Sequence, residues 1–212
     1  MRRVTLFCGH YGSGKTNVAV NFAFSLRAQG KAVAIGDLDV VNPYFRTKDS
    51  EAELKAAGID VVALPFANSS VDLPSLPAEA YSLVQDRSRY AVLDVGGDDR
   101  GALALGRYVP YLREENDFDM LFVANFRRPL TPDAASAYEV MREIETACGL
   151  PFTGIVNNTN LGEETTREVI DASRPLADEL AAVSGVPVVM TAAMRALCDE
   201  TMFPLTLQNK YY

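Results

Sequence analysis

The sequence predicts an α/β fold in three layers, a mostly parallel sheet of about seven strands with helices on both faces. Three observations predict it. Short β-branched and aliphatic runs alternate with helical stretches along all 212 residues. The runs are apolar throughout rather than alternately polar, as strands buried on both faces require. A glycine-rich loop, Gly9 to Thr16, separates the first run from the first helical stretch, the order of a strand, a turn and a crossover helix. The length suits one well-buried domain, read as residues 1–212.

Taken in order, the strand candidates are Arg3–Cys8, Ala32–Gly36, Asp60–Leu64, Tyr90–Asp94, Met120–Ala124, Thr153–Asn157 and Val186–Val189, each short and rich in Val, Ile, Leu or Phe. Helices are expected at Lys15–Gln29, Lys48–Ala57, Pro77–Gln85, Ala102–Glu114, Pro132–Cys148 and Glu163–Val183. Gly30 and Gly58 stand where helices end, and Pro175 is expected to divide the last helix in two, because proline removes an interior hydrogen bond.

The loop Gly9-His10-Tyr11-Gly12-Ser13-Gly14-Lys15-Thr16 fits the G-x-x-x-x-G-K-[ST] pattern of a phosphate-binding P-loop. Gly12 and Gly14 allow backbone conformations that point successive N–H groups at an anion, and the helix start beyond them, through Asn17, adds its own unpaired N–H groups and dipole. Lys15 would meet the β and γ oxygens of a nucleotide, and the Thr16 hydroxyl a bridging Mg²⁺. The bland alternative is a glycine-rich turn with a chance Lys-Thr.

In an open parallel sheet, ligands bind beyond the carboxyl ends of the strands, so the residues after each strand are the informative ones. The second strand runs into Asp37-Leu38-Asp39, two acids at alternate positions that share a face. Asp37 suits a Mg²⁺ shell and Asp39 the orientation of an attacking water, unless both cap the turn opened by Asn42-Pro43. The fourth strand ends in Asp94-Val95-Gly96-Gly97, an acid for the metal's water shell followed by glycines that allow backbone near a γ-phosphate, or else a solvated turn. After the sixth strand, Asn157-Asn158-Thr159-Asn160 offers amides and no carboxylate. Amides both donate and accept, as an adenine edge requires, so ATP is expected rather than GTP, with Asn157 or Asn158 as reader; a ligand-free polar turn is the alternative.

Composition narrows the function classes. With 28 acidic and 20 basic residues, the net charge of −8 disfavours a nucleic-acid partner, whose phosphates are bound by Lys and Arg. No apolar stretch reaches the roughly 18 residues of a membrane span, and Met1-Arg2-Arg3 leads into a strand rather than a signal peptide, so a cytoplasmic protein without a membrane partner is expected. Cys8, Cys148 and Cys198 are odd in number and widely spaced, as suits reduced structural thiols. The tail from Phe203 to Tyr212 carries Pro204 and a single Lys, and is expected to pack or pair with a subunit.

The loop, Asp37-Leu38-Asp39, Asp94-Val95-Gly96-Gly97 and Asn157-Asn158, in this order and spacing, resemble the MinD/ParA/CobQ-type P-loop ATPases of the SIMIBI class. The resemblance implies ATP and Mg²⁺ as cofactors and a homodimer that forms or tightens around nucleotide and comes apart after hydrolysis. Many members carry a second lysine after the first glycine, reaching across the dimer; His10 stands there, and Arg46, Arg100, Arg127 or Arg128 could supply that charge. The loop after Asp94 has no cysteine, so a shared iron–sulfur cluster is not supported. Three classes of function follow: an ATPase switch on an unidentified protein partner, an ATP-dependent kinase or amide-forming ligase with a pocket at Pro65–Pro77, and a module that holds nucleotide without hydrolysing it.

Overall fold

The computed structural model describes residues 1–38, 50–62, 78–96 and 105–207. Along the chain run β1 (Val4–Cys8), α1 (Lys15–Ala28), β2 (Val33–Leu38), α2 (Glu51–Ala56), β3 (Asp60–Val62), α3 (Ala78–Gln85), β4 (Tyr90–Val95) and α4 (Val109–Glu115). There follow β5 (Phe118–Ala124), α5 (Ala134–Cys148), β6 (Gly154–Asn157), α6 (Arg167–Ser184), β7 (Val188–Met194) and β8 (Phe203–Leu205), with short 3₁₀ turns at Gly162–Glu164 and Arg195–Leu197. The strands form one sheet in the order β3-β2-β4-β1-β5-β6-β7-β8, and every neighbouring pair is parallel.

Two cores make the layers. Successive side chains of a strand point to opposite faces. On β1, Leu6 and Cys8 therefore join the core under α3 to α6, with Leu83, Leu112, Met141 and Leu180, whereas Phe7 joins the core under α1 and α2, with Val18, Leu26 and Leu54. The sheet is buried on both sides, which is why its strands read as unbroken apolar runs. Asp133 caps α5 by accepting from the Ser136 N–H at 2.8 Å, and Thr166 caps α6. No helix among the described residues is long and apolar enough to cross a membrane.

The structure corrects three sequence expectations. The sheet has eight strands among the described residues, because Phe203–Leu205 pairs with the last three residues of β7. Pro204 disguised that strand, although proline is compatible with the edge of a sheet. β7 accordingly runs to Met194, past the apolar run that marked it. Pro175 sits inside a single continuous α6. Its ring lies on the exposed side, where water can satisfy the carbonyl one turn back, while Ile170, Ala177 and Leu180 anchor the buried side.

At the amino ends of the strands, Arg3 ties four segments together. Its guanidinium forms an ion pair with Glu115 at the end of α4 and donates to the carbonyls of Val84 (2.8 Å), Asp86 (3.0 Å), Arg89 (3.2 Å) and Leu83 (3.4 Å). A cation is thereby placed on the carbonyls that end α3, where the helix dipole favours it. The hydrogen bond from Arg3 is the main reason the Glu115 carboxyl is held below its ordinary value of 4.5. A carboxylate lowered on folding contributes stability that is present above its unfolded value and lost as pH falls through the folded one. Replacing Arg3 by Met should cost about 3 kcal/mol in urea unfolding near neutral pH and shrink the loss of stability below that value. A cost under about 0.5 kcal/mol would mean that the contact is no stronger than an exposed ion pair.

Candidate nucleotide-binding site

The Gly9–Thr16 loop leaves β1 at the centre of the sheet and is pressed into place by its neighbours. Gly9 takes φ 149°, and a Cβ there would lie 2.5 Å from the Val123 carbonyl oxygen of β5. Gly14, at φ 87°, caps α1 in the left-handed region, and a Cβ there would strike the Asn158 amide. Both positions need glycine for conformation and for space. Inside the loop the Ser13 N–H donates to the His10 carbonyl at 3.1 Å, closing a tight turn.

This turn gathers groups suited to an anion. Lys15 is only 6% exposed, and its Nζ lies 3.3 Å from the His10 carbonyl oxygen, folded back over the loop. No side chain caps the first turn of α1, so its N–H groups remain for a ligand. The Ser13 hydroxyl is buried with no hydrogen-bond partner among the described residues. Such an orphaned group calls for an explanation, and a ligand at the loop is one. His10 Nδ1 lies 3.0 Å from the Tyr11 carbonyl oxygen, and Tyr11 is exposed. Asn17 accepts from Asn21 through its carbonyl (2.8 Å) and its side-chain oxygen (3.2 Å), so its side chain is engaged along α1.

Beside the loop stand the expected metal groups. The Thr16 hydroxyl donates to Asp94 Oδ2 at 2.5 Å, and Asp94 is fully buried. Asp37 on β2 is the register partner of Asp94 on β4. Hydroxyl and carboxylate oxygens are the donors a hard cation takes, and Mg²⁺ fills the rest of its octahedron with water and phosphate. The site fits that ion. Among the described residues no group of three or more His, Cys, Asp or Glu side chains could hold a metal ion. Asp39, expected to orient water, lies outside the described residues, as do Gly97, Arg46, Arg100 and the 65–77 segment. Burial pushes the Cys8 thiol below the loop well above its ordinary value, so it stays neutral.

The two asparagines after β6 part company. Asn158, 2% exposed, donates from Nδ2 to the Ser13 carbonyl at 2.7 Å and so holds the loop directly. Asn157 points the other way, donating to Ser173 Oγ of α6 (2.8 Å) while its oxygen accepts from the Thr159 hydroxyl (2.8 Å) and N–H (3.2 Å). Both ends of the Asn157 amide thus make hydrogen bonds inside the fold.

Sequence reasoning missed Asn125, which follows β5 and is fully buried. Its oxygen accepts from the N–H groups of Arg127 (3.0 Å) and Asn160 (3.3 Å), its amide donates to the Asn160 carbonyl (3.3 Å), and the Thr131 hydroxyl binds its carbonyl (2.9 Å). The loops after β5 and β6 are joined through it. Its position directly after a strand was the available signal, and it lay between the strands whose ends drew attention. A separate groove of about 640 Å³ between α1 and β8, lined by Phe24, Phe203 and Leu207, contains none of the loop residues.

The profile of the CobQ/CobB/MinD/ParA nucleotide-binding domain matches residues 7–193, from the end of β1 almost to the end of β7. The chain belongs to this family. A CobQ/CobB/MinD/ParA domain binds nucleotide through its P-loop, and the groups assembled above are that loop and its surroundings. No curated protein matches the sequence significantly. Among solved structures, the signal recognition particle receptor FtsY of Elizabethkingia anophelis aligns at 17% identity and TM-score 0.58, covering 96% of this chain and 62% of that one. The cell division protein FtsY of Thermotoga maritima aligns at 16% and 0.58, covering 92% and 62%. The Elizabethkingia anophelis receptor in complex with GDP aligns at 17% and 0.56, covering 99% and 61%. These likenesses are of fold, and the chain spans about three-fifths of the length of those proteins.

The contact between Gly14 and Asn158 can be tested by a double-mutant cycle. Asn158→Ala leaves the Ser13 carbonyl without its donor and should cost about 1–3 kcal/mol in urea unfolding. Gly14→Ala should cost less in the Asn158→Ala background than in the wild type, because the amide it strikes is gone. Strictly additive losses would refute the packing described.

Proposed function

We propose that this domain, residues 1–212, is a Mg²⁺-dependent ATPase that acts as a nucleotide switch on a protein partner. The observation that carries the reading is the contact of Thr16 with Asp94 beside a loop into which Lys15 is folded. In this reading the N–H groups of the loop and of the first turn of α1 hold the β-phosphate, and Lys15 turns from the His10 carbonyl to the β and γ oxygens. Thr16, Asp37 and Asp94 would hold Mg²⁺ and its waters, and the ion would supply charge neutralisation for the phosphates. Asp39, placed here by its position in sequence, orients the water that attacks the γ-phosphorus as ADP departs. Catalysis of this kind is mostly positioning and electrostatics, which rigid loops supply.

ATP is favoured over GTP because Asn157 to Asn160 contains amides and no carboxylate. The reading as a switch is supported by apolar side chains exposed around the site. Tyr11, Leu130 and Leu161, exposed at 58%, 59% and 41%, lie on the loops that follow β1, β5 and β6, at the end of the sheet that carries the phosphate loop. Such surface suits a partner or a second copy in a nucleotide-dependent homodimer. A cytoplasmic setting agrees with its three free cysteines.

Calorimetry and a phosphate-release assay test the proposal together. The wild type should bind Mg²⁺-ATP more tightly than Mg²⁺-GTP, and Lys15→Ala should weaken ATP at least about 10-fold. Asp39→Asn should keep binding but lower hydrolysis about 100-fold. Full hydrolysis by Asp39→Asn would remove that residue from the mechanism, and tighter GTP would reverse the base assignment.

A further inference from the structure

Beyond Lys15, the site holds a second cation that the motif does not contain. Arg128 stands on the loop between β5 and α5 and donates from Nε to the Gly12 carbonyl at 2.8 Å. Its Nε, Cδ and Cζ lie 3.6, 3.7 and 4.0 Å from the point a Cβ on Gly12 would occupy, so the guanidinium covers the bare face of that glycine. The turn that carries it is built firmly. The Arg128 N–H donates to the Asn125 carbonyl (3.2 Å), its own carbonyl accepts from the Thr131 N–H (3.1 Å), and Asn125 is locked to the loop after β6. Pro129 narrows the backbone choices of Arg128 further.

What the guanidinium leaves unused is informative. Arg3, the structural arginine of this fold, spends Nε and both terminal amino groups on Glu115 and backbone carbonyls. Arg89 and Arg167 sit on carboxylates. Arg128 commits only Nε, and among the described residues neither it nor Lys15 forms an ion pair, in a chain that is acidic overall. Two cations held beside one loop, neither in an ion pair among the described residues, suit a polyanion. A guanidinium with both terminal amino groups available matches the paired oxygens of a phosphate.

We propose that Arg128 binds the terminal phosphate of a nucleoside triphosphate, reaching it in cis from the β5–α5 loop along the outer side of Gly12. The inference rests on the nucleotide-binding reading above and adds to it a residue that distinguishes triphosphate from diphosphate. An arginine so placed stabilises charge on the transferring phosphoryl group. It also links the γ-phosphate to the Arg127–Leu130 turn through the side chain that holds this turn to the loop.

Calorimetric titration with a non-hydrolysable ATP analogue and with ADP, both with Mg²⁺, separates the roles. Arg128→Ala should weaken the triphosphate analogue about 10- to 100-fold and ADP less than about 3-fold. Arg128→Lys, which keeps the charge, should recover part of the loss, and Arg142→Ala on the outer face of α5 should match the wild type. Equal loss for both nucleotides would reduce Arg128 to a tether of the loop and overturn the proposal, as would no loss at all. If the wild type binds analogue and Lys15→Ala does not, the nucleotide reading stands and the Arg128 variants alone decide. A wild type without affinity for either nucleotide removes both.

Discussion

The phosphate loop keeps its shape because it is gripped from outside. The Asn158 amide holds the Ser13 carbonyl, the Arg128 guanidinium holds the preceding carbonyl of Gly12, and Val123 fills the space beside Gly9. Turning these carbonyls outward leaves the inner side of the loop to N–H groups, the arrangement an anion needs. The grip depends on the sheet. Phe7 and Cys8 of β1 lie beside Leu121 and Phe122 of β5, and Ala124 beside Asn157 of β6, so β5 and β6 finish level while β1 ends earlier and gives way to the loop. A parallel sheet with β1 at its centre brings the gripping side chains and the carboxylates of Asp37 and Asp94 to the same edge.

Much of this arrangement was legible in the sequence, for physical reasons that also explain the remainder. The loop and the acids Asp37 and Asp94 could be read because local spacing and position after a strand determine them. Asp37 and Asp94 prove to be direct register partners. The phase of Asn157 and Asn158 was not legible. Neighbouring residues leave a strand toward opposite sides, and only the tertiary packing of Ser173 on one side and Ser13 on the other assigns each its role. Asn158 and Ser13 are 145 positions apart, and no local pattern announces such a bond. β8 escaped notice because three residues around a proline carry almost no strand signal, and α6 runs through Pro175 because burial of one face outweighs the loss of one hydrogen bond.

Charge is arranged with similar economy. Two carboxylates in register on adjacent strands repel each other, and the Thr16 hydroxyl offsets part of that repulsion by donating to Asp94. In the proposed reading a divalent cation between this pair and the phosphates would complete the compensation. On the other side of the loop, Lys15 and Arg128 await the opposite charge. In the proposed reading, Mg²⁺ lies on the flank of the carboxylates and the phosphates on the flank of Lys15 and Arg128.

The most direct measurement is a crystal structure with Mg²⁺ and a non-hydrolysable ATP analogue. The account predicts the phosphates against the N–H groups of Gly12 to Thr16, the metal on Thr16 Oγ1 with Asp94 reached through water, and Lys15 Nζ turned from the His10 carbonyl to the phosphate oxygens. An analogue lodged in the groove between α1 and β8, or a metal that leaves Thr16 bonded to Asp94, would contradict it.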